Sequence, residues 1–381
     1  MDIPYLEFYL KHNISPVTQT IRNKKSFFIQ RQYLYQSLGI APILLRNKSI
    51  LEFGPGNGVN AIFNYAFSPA RYVLVDGNLL AIENIRKNFS THFQNLDSLE
   101  VVHCLFNEYD HNPLFDLVIC ENFIANLDDP ARMVVAFSQN VIPGGILFIT
   151  CNDAASLLSE TLRSFIGLLL TRDIKDLRKK ADFLTNYFCS HLSSLAHVGR
   201  SFNDWVLDNI LQERYSIYAP LFSISQAVHE LNGSFIFYHS SPVFHTEMRW
   251  YKSVNSDIAL ENMSKIIVNS YYKNMLNFLD YRINLPPHSI ELGKSILRSA
   301  EKIRELCQKY HSNSENKSLL SLTVELNYLA ELISPWANDT AITIKAYATI
   351  FESGNFEQIN TNPYLIHWWG RGTQYLSFVK N

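Results

Sequence analysis

A glycine-rich turn between a predicted strand and a predicted helix constrains the fold of this chain most strongly. The sequence LEFGPGNG spans residues 51–58, after an apolar run that begins at Ile50 and before a helical pattern over residues 59–67. Three glycines at alternate positions let the backbone turn sharply and approach a ligand closely. The N-terminus of the following helix offers free N–H groups to a negatively charged ligand group. The turn therefore predicts a ligand site beside the first strand of an α/β sheet.

Short apolar runs alternate with helical patterns over residues 49–150, which predicts repeated strand–helix units. Units of this kind build a parallel sheet with helices on both faces. The five strands predicted in this region are 50–53, 72–75, 100–103, 117–120 and 146–150.

The chain is predicted to combine this core with helical additions. The predicted segments are an N-terminal helical cap or lid at 1–45, a core at 46–154, a helical insertion at 155–217, a continuation of the core with strand six at 218–252, a helical region at 253–352 and a C-terminal segment with the last strand at 353–381. Two placements of strand seven stay open. A strand at 374–379 makes the later helices an insertion between strands six and seven, whereas a strand at 248–252 makes them a C-terminal extension.

The composition of the 381-residue chain disfavours several classes of protein. A net charge of −2 and a pI of about 6.6 give no chain-wide attraction to nucleic acid. Five scattered cysteines without a CxxC pair disfavour a disulfide framework or a structural zinc site, and no metal is predicted. The apolar runs fall far short of the roughly 20 residues that span a bilayer, and the first residues carry no basic stretch typical of a signal peptide. A cytoplasmic enzyme is therefore predicted.

An aspartate at the end of the second predicted strand is the second anchor of the predicted ligand site. Asp76 lies about 20 residues after the glycine turn, where a carboxylate can accept hydrogen bonds from both hydroxyls of a ribose. Gly77 and Asn78 follow it. The alternative is that Asp76 caps the next helix. The GxGxG spacing, with Val59 in place of a small residue and Glu52 before the first glycine, disfavours a nicotinamide or flavin site.

Four motifs, in this order, resemble the core of the class I S-adenosylmethionine (SAM)-dependent methyltransferases. They are LEFGPGNG, YVLVDGN, FDLVICENFIANLDDP and VIPGGILFIT, within residues 45–155. The flanking sequences SPVTQTIRNKKSFFIQRQYLYQSLGI and SPVFHTEMRWYK are similar to a bacterial group of methyltransferases of poorly defined substrate. The resemblance implies an α/β fold with a doubly wound, mostly parallel seven-stranded sheet and sizeable helical insertions or an extension. It also implies that SAM lies across the C-terminal ends of the strands.

The resemblance further implies which residues bind SAM. The glycines of the turn would line the methionine part, Asp76 would bind the ribose, and Phe106 and Asn107 would flank the adenine. Many relatives place an aspartate after the third strand to bind the adenine amine, whereas this chain has the sequence CLFNE at 104–108. The predicted cofactor-binding residues are Glu52, Gly54, Gly56, Gly58, Asp76, Gly77, Asn78, Phe106, Asn107, Glu121 and Asn122.

Methyl transfer is an in-line displacement, so alignment of the reactants and exclusion of water carry most of the catalysis. A general base is needed only when the acceptor atom starts with a proton. Ligands of open α/β sheets bind outside the carboxyl ends of the strands. The candidate bases there are His239, His245 and Glu121. For each histidine the alternative is a loop residue whose ring hydrogen-bonds to the backbone.

Four residues are predicted to contact the substrate. Trp368 and Trp369 would line a pocket or attract the sulfonium through cation–π contact, with core packing as the alternative. Arg371, between two glycines, would bind a carboxylate or phosphate, with a surface salt bridge as the alternative. Tyr33 belongs to a stretch of alternating aromatic and basic residues that would form a lid or pack against the sheet edge.

The sequence therefore predicts a SAM-dependent methyltransferase that acts on an oxygen or nitrogen atom of a small molecule or glycan precursor. Near-neutral charge and helical insertions able to enclose a pocket favour this acceptor class. A protein or RNA methyltransferase is the alternative, although the Asn-Pro-Pro-aromatic signature of base-amine methylation is absent after the fourth strand. A non-catalytic SAM-binding interaction protein and a nicotinamide oxidoreductase stay open as further alternatives.

Overall fold

The computed structural model describes residues 4–14, 21–110, 113–195, 199–212, 217–253, 257–314 and 316–381. The chain consists of two compact units. The first, here called the core unit, comprises Met1–Cys151, Pro220–Val268 and Gln374–Asn381. The second, here called the helical unit, comprises Asn152–Ala219 and Asn269–Thr373.

The secondary structure alternates strands and helices first and is almost entirely helical later. The strands are β1 Ser49–Phe53, β2 Arg71–Asp76, β3 Leu99–His103, β4 Phe115–Cys120, β5 Val141–Cys151, β6 Phe235–Ser241 and β7 Gln374–Lys380. The α-helices are α1 Pro4–His12, α2 Lys24–Ser37, α3 Val59–Tyr65, α4 Leu79–His92, α5 Pro130–Ser138, α6 Leu158–Leu170, α7 Leu177–Tyr187, α8 Cys189–Ser193, α9 Phe202–Val206, α10 Ile224–Glu230, α11 Asp257–Lys273, α12 Met275–Leu279, α13 Ile290–Asn313, α14 Asn316–Ile333, α15 Asn338–Ser353 and α16 Pro363–His367. Leu207–Leu211 form a π-helical turn after α9.

The seven strands form one sheet in the order β3-β2-β1-β4-β5-β7-β6. Neighbouring strands from β3 to β5 are parallel, and β7 runs antiparallel to both β5 and β6. The predicted α/β fold, with a mostly parallel seven-stranded sheet and large helical additions, is confirmed.

Strand seven lies at the C-terminus, where one of the two open placements put it. It pairs Gln374 with Cys151 of β5 and Tyr375 with Ser241 of β6. The other placement, at 248–252, is wrong because that segment joins no strand and enters a short 3-10 helix at Tyr251–Ser253. The helices α11 to α16 therefore fall between β6 and β7 in the sequence.

Strand β5 begins at Val141, earlier than the residue 146 that the sequence predicts. Residues 143–145, Pro-Gly-Gly, look like a turn, but the strand continues through them. The pairing with β4 shifts register between Phe115 and Leu117, and Gly144 takes a φ of +74°. A glycine in the left-handed region absorbs such an irregularity at little cost.

The central strands explain where the ligand site forms. Every residue of β1 and β2 after the first is buried, as expected of parallel strands covered on both faces. The register places Phe53 beside Val75, and Glu52 beside Ile119 of β4. The loops that follow these three strands therefore emerge together at one edge of the sheet.

The helical unit has its own apolar core. Ile296, Ala300 and Ile303 are buried along one face of α13, at the spacing that the sequence shows. Helix α14 packs against α13 and against α15. Among the described residues, no helix combines the length and the apolar character needed to cross a membrane.

Candidate functional site

A cavity of about 910 Å³, including space open to solvent, lies in the core unit at the C-terminal ends of β1, β2 and β4. Many of the predicted SAM contacts line it: Glu52, Gly54, Gly56, Asp76, Gly77, Phe106, Glu121 and Asn122. The residues Gly58, Asn78 and Asn107 are not among its lining residues. The structure thus brings together residues from three of the four motifs and from the CLFNE segment at 104–108.

The glycine turn is shaped so that side chains are excluded from two of its positions. Gly54 has a φ of +64°, and a Cβ atom there would lie 2.6 Å from Cδ2 of Phe123. Gly58 has a φ of +75°, and its Cβ would lie 2.9 Å from Cγ1 of Ile85 on α4. Gly56 also has a positive φ, of +58°. The turn needs glycine for both backbone conformation and close packing.

Asp76 ends β2 and directs its carboxylate at the glycine turn. The Gly56 main-chain N–H donates to Oδ2 at 3.2 Å, and the Asn78 N–H donates to Oδ1 at 2.8 Å. Burial raises the pKa of Asp76 to about 6, although these two hydrogen bonds oppose the rise. The alternative role as a helix cap falls instead to Asn78, whose side chain accepts from the N–H groups of Leu80 and Ala81.

Glu52, just before the first glycine, is a second buried carboxyl group that lines the cavity. The Tyr72 hydroxyl donates to its Oε2, and Asn64 Nδ2 donates to the Tyr72 oxygen at 3.0 Å. Burial raises the pKa of Glu52 to about 7, with the Tyr72 hydrogen bond acting in the opposite direction. Glu52 is therefore a buried carboxyl group with a raised pKa beside the predicted cofactor contacts.

Glu121, at the end of β4, is held in a buried ion pair. Arg31 of α2 donates from its two terminal nitrogens to the two carboxylate oxygens, at 2.7 and 2.8 Å. Asn60 Nδ2 donates to Oε1 at 3.1 Å. Burial works against the charged guanidinium, but Glu121 and neighbouring groups offset it and hold the pKa of Arg31 above its usual range. This bidentate pair favours a positioning role for Glu121 over that of a free general base.

Aromatic side chains form one wall of the cavity. The ring centroid of Phe106 lies 5.9 Å from that of Phe123 and 5.6 Å from that of Phe137. Leu105 and Leu6 of α1 line the same cavity. The wall therefore offers an apolar surface of the kind that a flat aromatic base packs against.

Asn122 lies beside this wall in a left-handed conformation, with a φ of +54°. Its N–H donates to Thr150 Oγ1 at 2.7 Å, and its carbonyl accepts from Asn126 Nδ2 at 2.9 Å. Asparagine tolerates this conformation better than most other non-glycine residues, and the two hydrogen bonds hold it in place here. The backbone after β4 is therefore held in one arrangement at the edge of the cavity.

The two candidate histidines belong to the β6 region and do not line the cavity. His239 is exposed on β6, and its main-chain N–H donates to Ser377 Oγ at 3.1 Å. His245 is half-buried, and burial lowers the pKa of its ring. Its Nδ1 has no hydrogen-bond partner within the part of the chain that the structure describes. Their catalytic role stays a prediction.

The tryptophans predicted to contact substrate lie in the interior of the helical unit. Trp368 is fully buried, and its indole N–H donates to the Leu279 carbonyl at 3.1 Å. The guanidinium of Arg163 lies 3.8 Å from the ring centroid of Trp369 and donates to the Trp368 carbonyl at 2.7 Å. Core packing, the alternative role, therefore accounts for both side chains.

The other two predicted substrate residues differ from each other in environment. Arg371 donates from Nε to the Asn277 carbonyl at 2.9 Å and from a terminal nitrogen to the Ile283 carbonyl at 3.0 Å. It thus ties backbone segments of the helical unit together, and a carboxylate partner is not needed. Tyr33 on α2 is highly exposed and does not line the cavity.

Sequence reasoning missed several residues at the cavity. Leu6, Asn60 and Phe123 line it, and Arg31 supports it through Glu121. Asn60 is the second residue of α3, directly after the glycine turn. A polar residue at this position is a sequence signal for a cavity contact. Among the described residues, no group of three or more His, Cys, Asp or Glu side chains could hold a metal ion.

The strand order, the glycine turn and the acidic end of β2 define a Rossmann-like fold of the class I methyltransferase type. Residues 28–232 match the family model of the methyltransferase domain. This match covers more than half of the 381 residues, so the chain belongs to the methyltransferase-domain family. The resemblance to SAM-dependent methyltransferases is confirmed.

Two curated relatives are ribosomal protein L11 methyltransferases of Prochlorococcus marinus. The chain is 29% identical to that of strain MIT 9515 over 123 residues, which are 31% of this chain and 41% of the relative. It is 25% identical to that of strain AS9601 over 136 residues, which are 35% of this chain and 42% of the relative. The matched region spans less than half the length of these relatives.

Two solved structures are also similar to parts of this chain. PKMT2 from Rickettsia typhi, in complex with AdoHcy, is 14% identical, with a TM-score of 0.42, covering 63% of this chain and 49% of that one. A SAM-dependent methyltransferase from Mesorhizobium loti is 16% identical, with a TM-score of 0.26, covering 30% of this chain and 54% of that one.

Proposed function

We propose that this chain transfers a methyl group from SAM to an oxygen or nitrogen atom of a small molecule or glycan precursor. The observation that carries the cofactor part of the proposal is the carboxylate of Asp76, buried at the end of β2 and facing the glycine turn. Two hydroxyls on adjacent ribose carbons are natural donors to such a carboxylate.

The residues around the cavity fit the three chemically different parts of SAM. Asp76 would accept the ribose hydroxyls, and main-chain N–H groups of the glycine turn would bind the methionine carboxylate. Phe106, Leu105 and Phe123 would pack on the adenine. SAM, when bound, supplies an electrophilic methyl group on a positively charged sulfur.

The contribution of the chain to methyl transfer is mainly positional. The backbone at Asn122, held by two hydrogen bonds, would form one fixed side of the cofactor site. The Arg31–Glu121 pair holds the end of β4 in place without a net charge at the cavity edge. A neutral amine acceptor would need no base, whereas a hydroxyl would need one.

The net charge of the chain disfavours an RNA acceptor and leaves small molecules and proteins as the candidate classes. A net charge of −2 and a pI of about 6.6 give no general attraction to polyanions such as RNA. A protein acceptor is the second candidate, because the two curated relatives are named for the methylation of a ribosomal protein. Their match covers about a third of this chain, so their acceptor does not carry over directly.

Transfer of a tritiated methyl group from SAM tests the proposal. The purified chain is incubated with labelled SAM and a cell extract, and the products are separated into low-mass, protein and RNA fractions. Label that depends on the enzyme in the low-mass fraction supports the proposal. Label in the protein or RNA fraction would replace the small-molecule acceptor with a protein or an RNA. Binding of SAM without any labelled product would favour a non-catalytic SAM-binding protein. Binding of NAD with no binding of SAM would overturn the cofactor assignment.

A further inference from the structure

Helix α14 carries a row of exposed side chains that nothing in the described chain covers. The three apolar members, Leu320, Val324 and Tyr328, expose 66%, 62% and 50% of their surface. Lys317 and Glu331 are exposed at the two ends of the row. With 3.6 residues per turn, the five side chains fall within an arc of about 80° on one face of the helix. This set is called the α14 face below.

The opposite side of the helix explains why α14 is oriented in this way. Leu322, Leu326, Leu329 and Ile333 are fully buried in the helical unit. Because α14 already buries a complete apolar face, the α14 face is a second apolar stripe. A monomer gains nothing from a second stripe in water.

The spacing of the α14 face is the same when read in either direction. The steps along Lys317, Leu320, Val324, Tyr328 and Glu331 are three, four, four and three residues. Spacings of three and four are those of helix-to-helix seams. A row that reads the same from both ends, with opposite charges at its ends, is complementary to itself when two copies run antiparallel.

The positions of the two charges are unfavourable within a single helix. Lys317 lies in the first turn and Glu331 in the last, where the helix dipole disfavours each of them. Within the described residues neither side chain has an ion-pair partner. An antiparallel partner helix would bring an opposite charge to each end of α14. The positions of Lys317 and Glu331 would then be favourable.

We propose that the α14 face binds a second copy of this chain, with a two-fold axis at Val324. In this dimer Val324 meets the partner's Val324, and Leu320 meets the partner's Tyr328. Lys317 meets the partner's Glu331 at each end, so two ion pairs form. The proposal does not depend on the proposed enzymatic function.

The small size of the α14 face predicts a weak, reversible dimer. Three apolar side chains from each copy bury less than the roughly 1,200 Å² of a standard interface, which is the size range of weak and transient contacts, so we expect a reversible dimer. Sedimentation equilibrium of the full chain, at concentrations from about 1 μM to about 1 mM, measures the dissociation constant of the dimer directly.

Charge reversal makes the test specific for this arrangement. Lys317→Glu and Glu331→Lys each place like charges at both ends of the dimer, and we expect each to weaken dimerisation about tenfold or more. An equimolar mixture of the two variants restores opposite charges at both ends, so the mixed dimer should form again. Lys179→Glu, on α7, makes the same charge change away from the α14 face and should leave dimerisation unchanged.

Val324→Asp tests the position of the axis. It brings two carboxylates together, and we expect a monomer with unchanged circular dichroism, because residue 324 is exposed. The proposal is overturned if the wild type stays monomeric throughout the concentration range. It is also overturned if the dimer survives Val324→Asp, or if the mixture of charge variants fails to recover it.

Discussion

Arg31 and Glu121 lie 90 residues apart in the sequence and form a bidentate ion pair that fastens α2 to the end of β4. Both side chains are buried, and Arg31 also lies 5.2 Å from the ring centroid of Tyr35. Removing one member of a buried pair leaves an uncompensated charge in the interior. Helix α2 is therefore part of the support of the candidate cofactor site.

We predict that Arg31→Met destabilises the chain by about 3–5 kcal/mol, the usual cost of an orphaned buried charge. Urea unfolding followed by circular dichroism measures the loss. The control is Lys48→Met, which breaks the half-exposed Lys48–Asp116 pair of the same unit and should cost about 1 kcal/mol or less. Equal losses from the two variants would show that the buried pair has no special role.

We predict that Gly54→Ala is far more harmful than Gly144→Ala. Both glycines have a positive φ, but an added Cβ at Gly54 would lie 2.6 Å from Phe123, whereas nothing lies within 4 Å at Gly144. Backbone strain is thus common to both, at about 1 kcal/mol, and the clash adds about 1–3 kcal/mol at Gly54 alone. Thermal unfolding compares them, and equal melting temperatures would contradict the described packing of the turn.

We predict that SAM affinity falls as pH drops below about 6. The pKa of Asp76 is about 6 in the folded chain, and a protonated carboxyl group no longer offers a charged acceptor to ribose hydroxyls. The dissociation constant should then rise towards tenfold per pH unit. Asp76→Asn should bind weakly and lose the fall in affinity that is centred near pH 6, although Glu52 still lines the cavity. A wild-type affinity that stays constant from pH 7.5 to 5 would contradict this prediction.

For the carboxyl group of Asp76 we predict the opposite pH trend in stability, which should rise as the pH falls. Its folded pKa exceeds the ordinary aspartate value of 3.8, so the folded state takes up a proton between about pH 4 and 6. Its contribution to the free energy of unfolding is therefore largest below about pH 4 and is lost as pH rises through 6. Comparing the pH dependence of unfolding in wild type and Asp76→Asn isolates this contribution.

The local features of the core could be predicted from the sequence. The strands β1, β2 and β4 are mainly apolar because most of their residues are buried, and the glycine turn stands directly after the first of them. The positions of Glu52, Gly54 and Asp76 in one cavity follow from the order of strands and loops. These signals lie within a few residues of the feature that they predict.

Relationships between distant segments could not be predicted. The placement of β7 depends on pairing Gln374 with Cys151, and no local pattern distinguishes it from the segment at 248–252. The burial of Trp369 depends on Arg163, which is remote in the sequence. Aromatic residues beside glycines resembled a substrate pocket because the sequence does not show what packs against them.

The proposed cofactor site depends above all on Asp76 binding the ribose of SAM. Calorimetric titration of SAM at pH 7.5 into wild type, Asp76→Ala and the exposed control Asp173→Ala tests it, with thermal unfolding to confirm that each variant is folded. We predict that wild type and Asp173→Ala bind SAM equally and that folded Asp76→Ala binds about 10- to 100-fold more weakly, as expected for lost hydrogen bonds to a charged acceptor. Absence of SAM binding by the wild type, or an affinity of Asp76→Ala equal to that of the wild type, would contradict this role of Asp76.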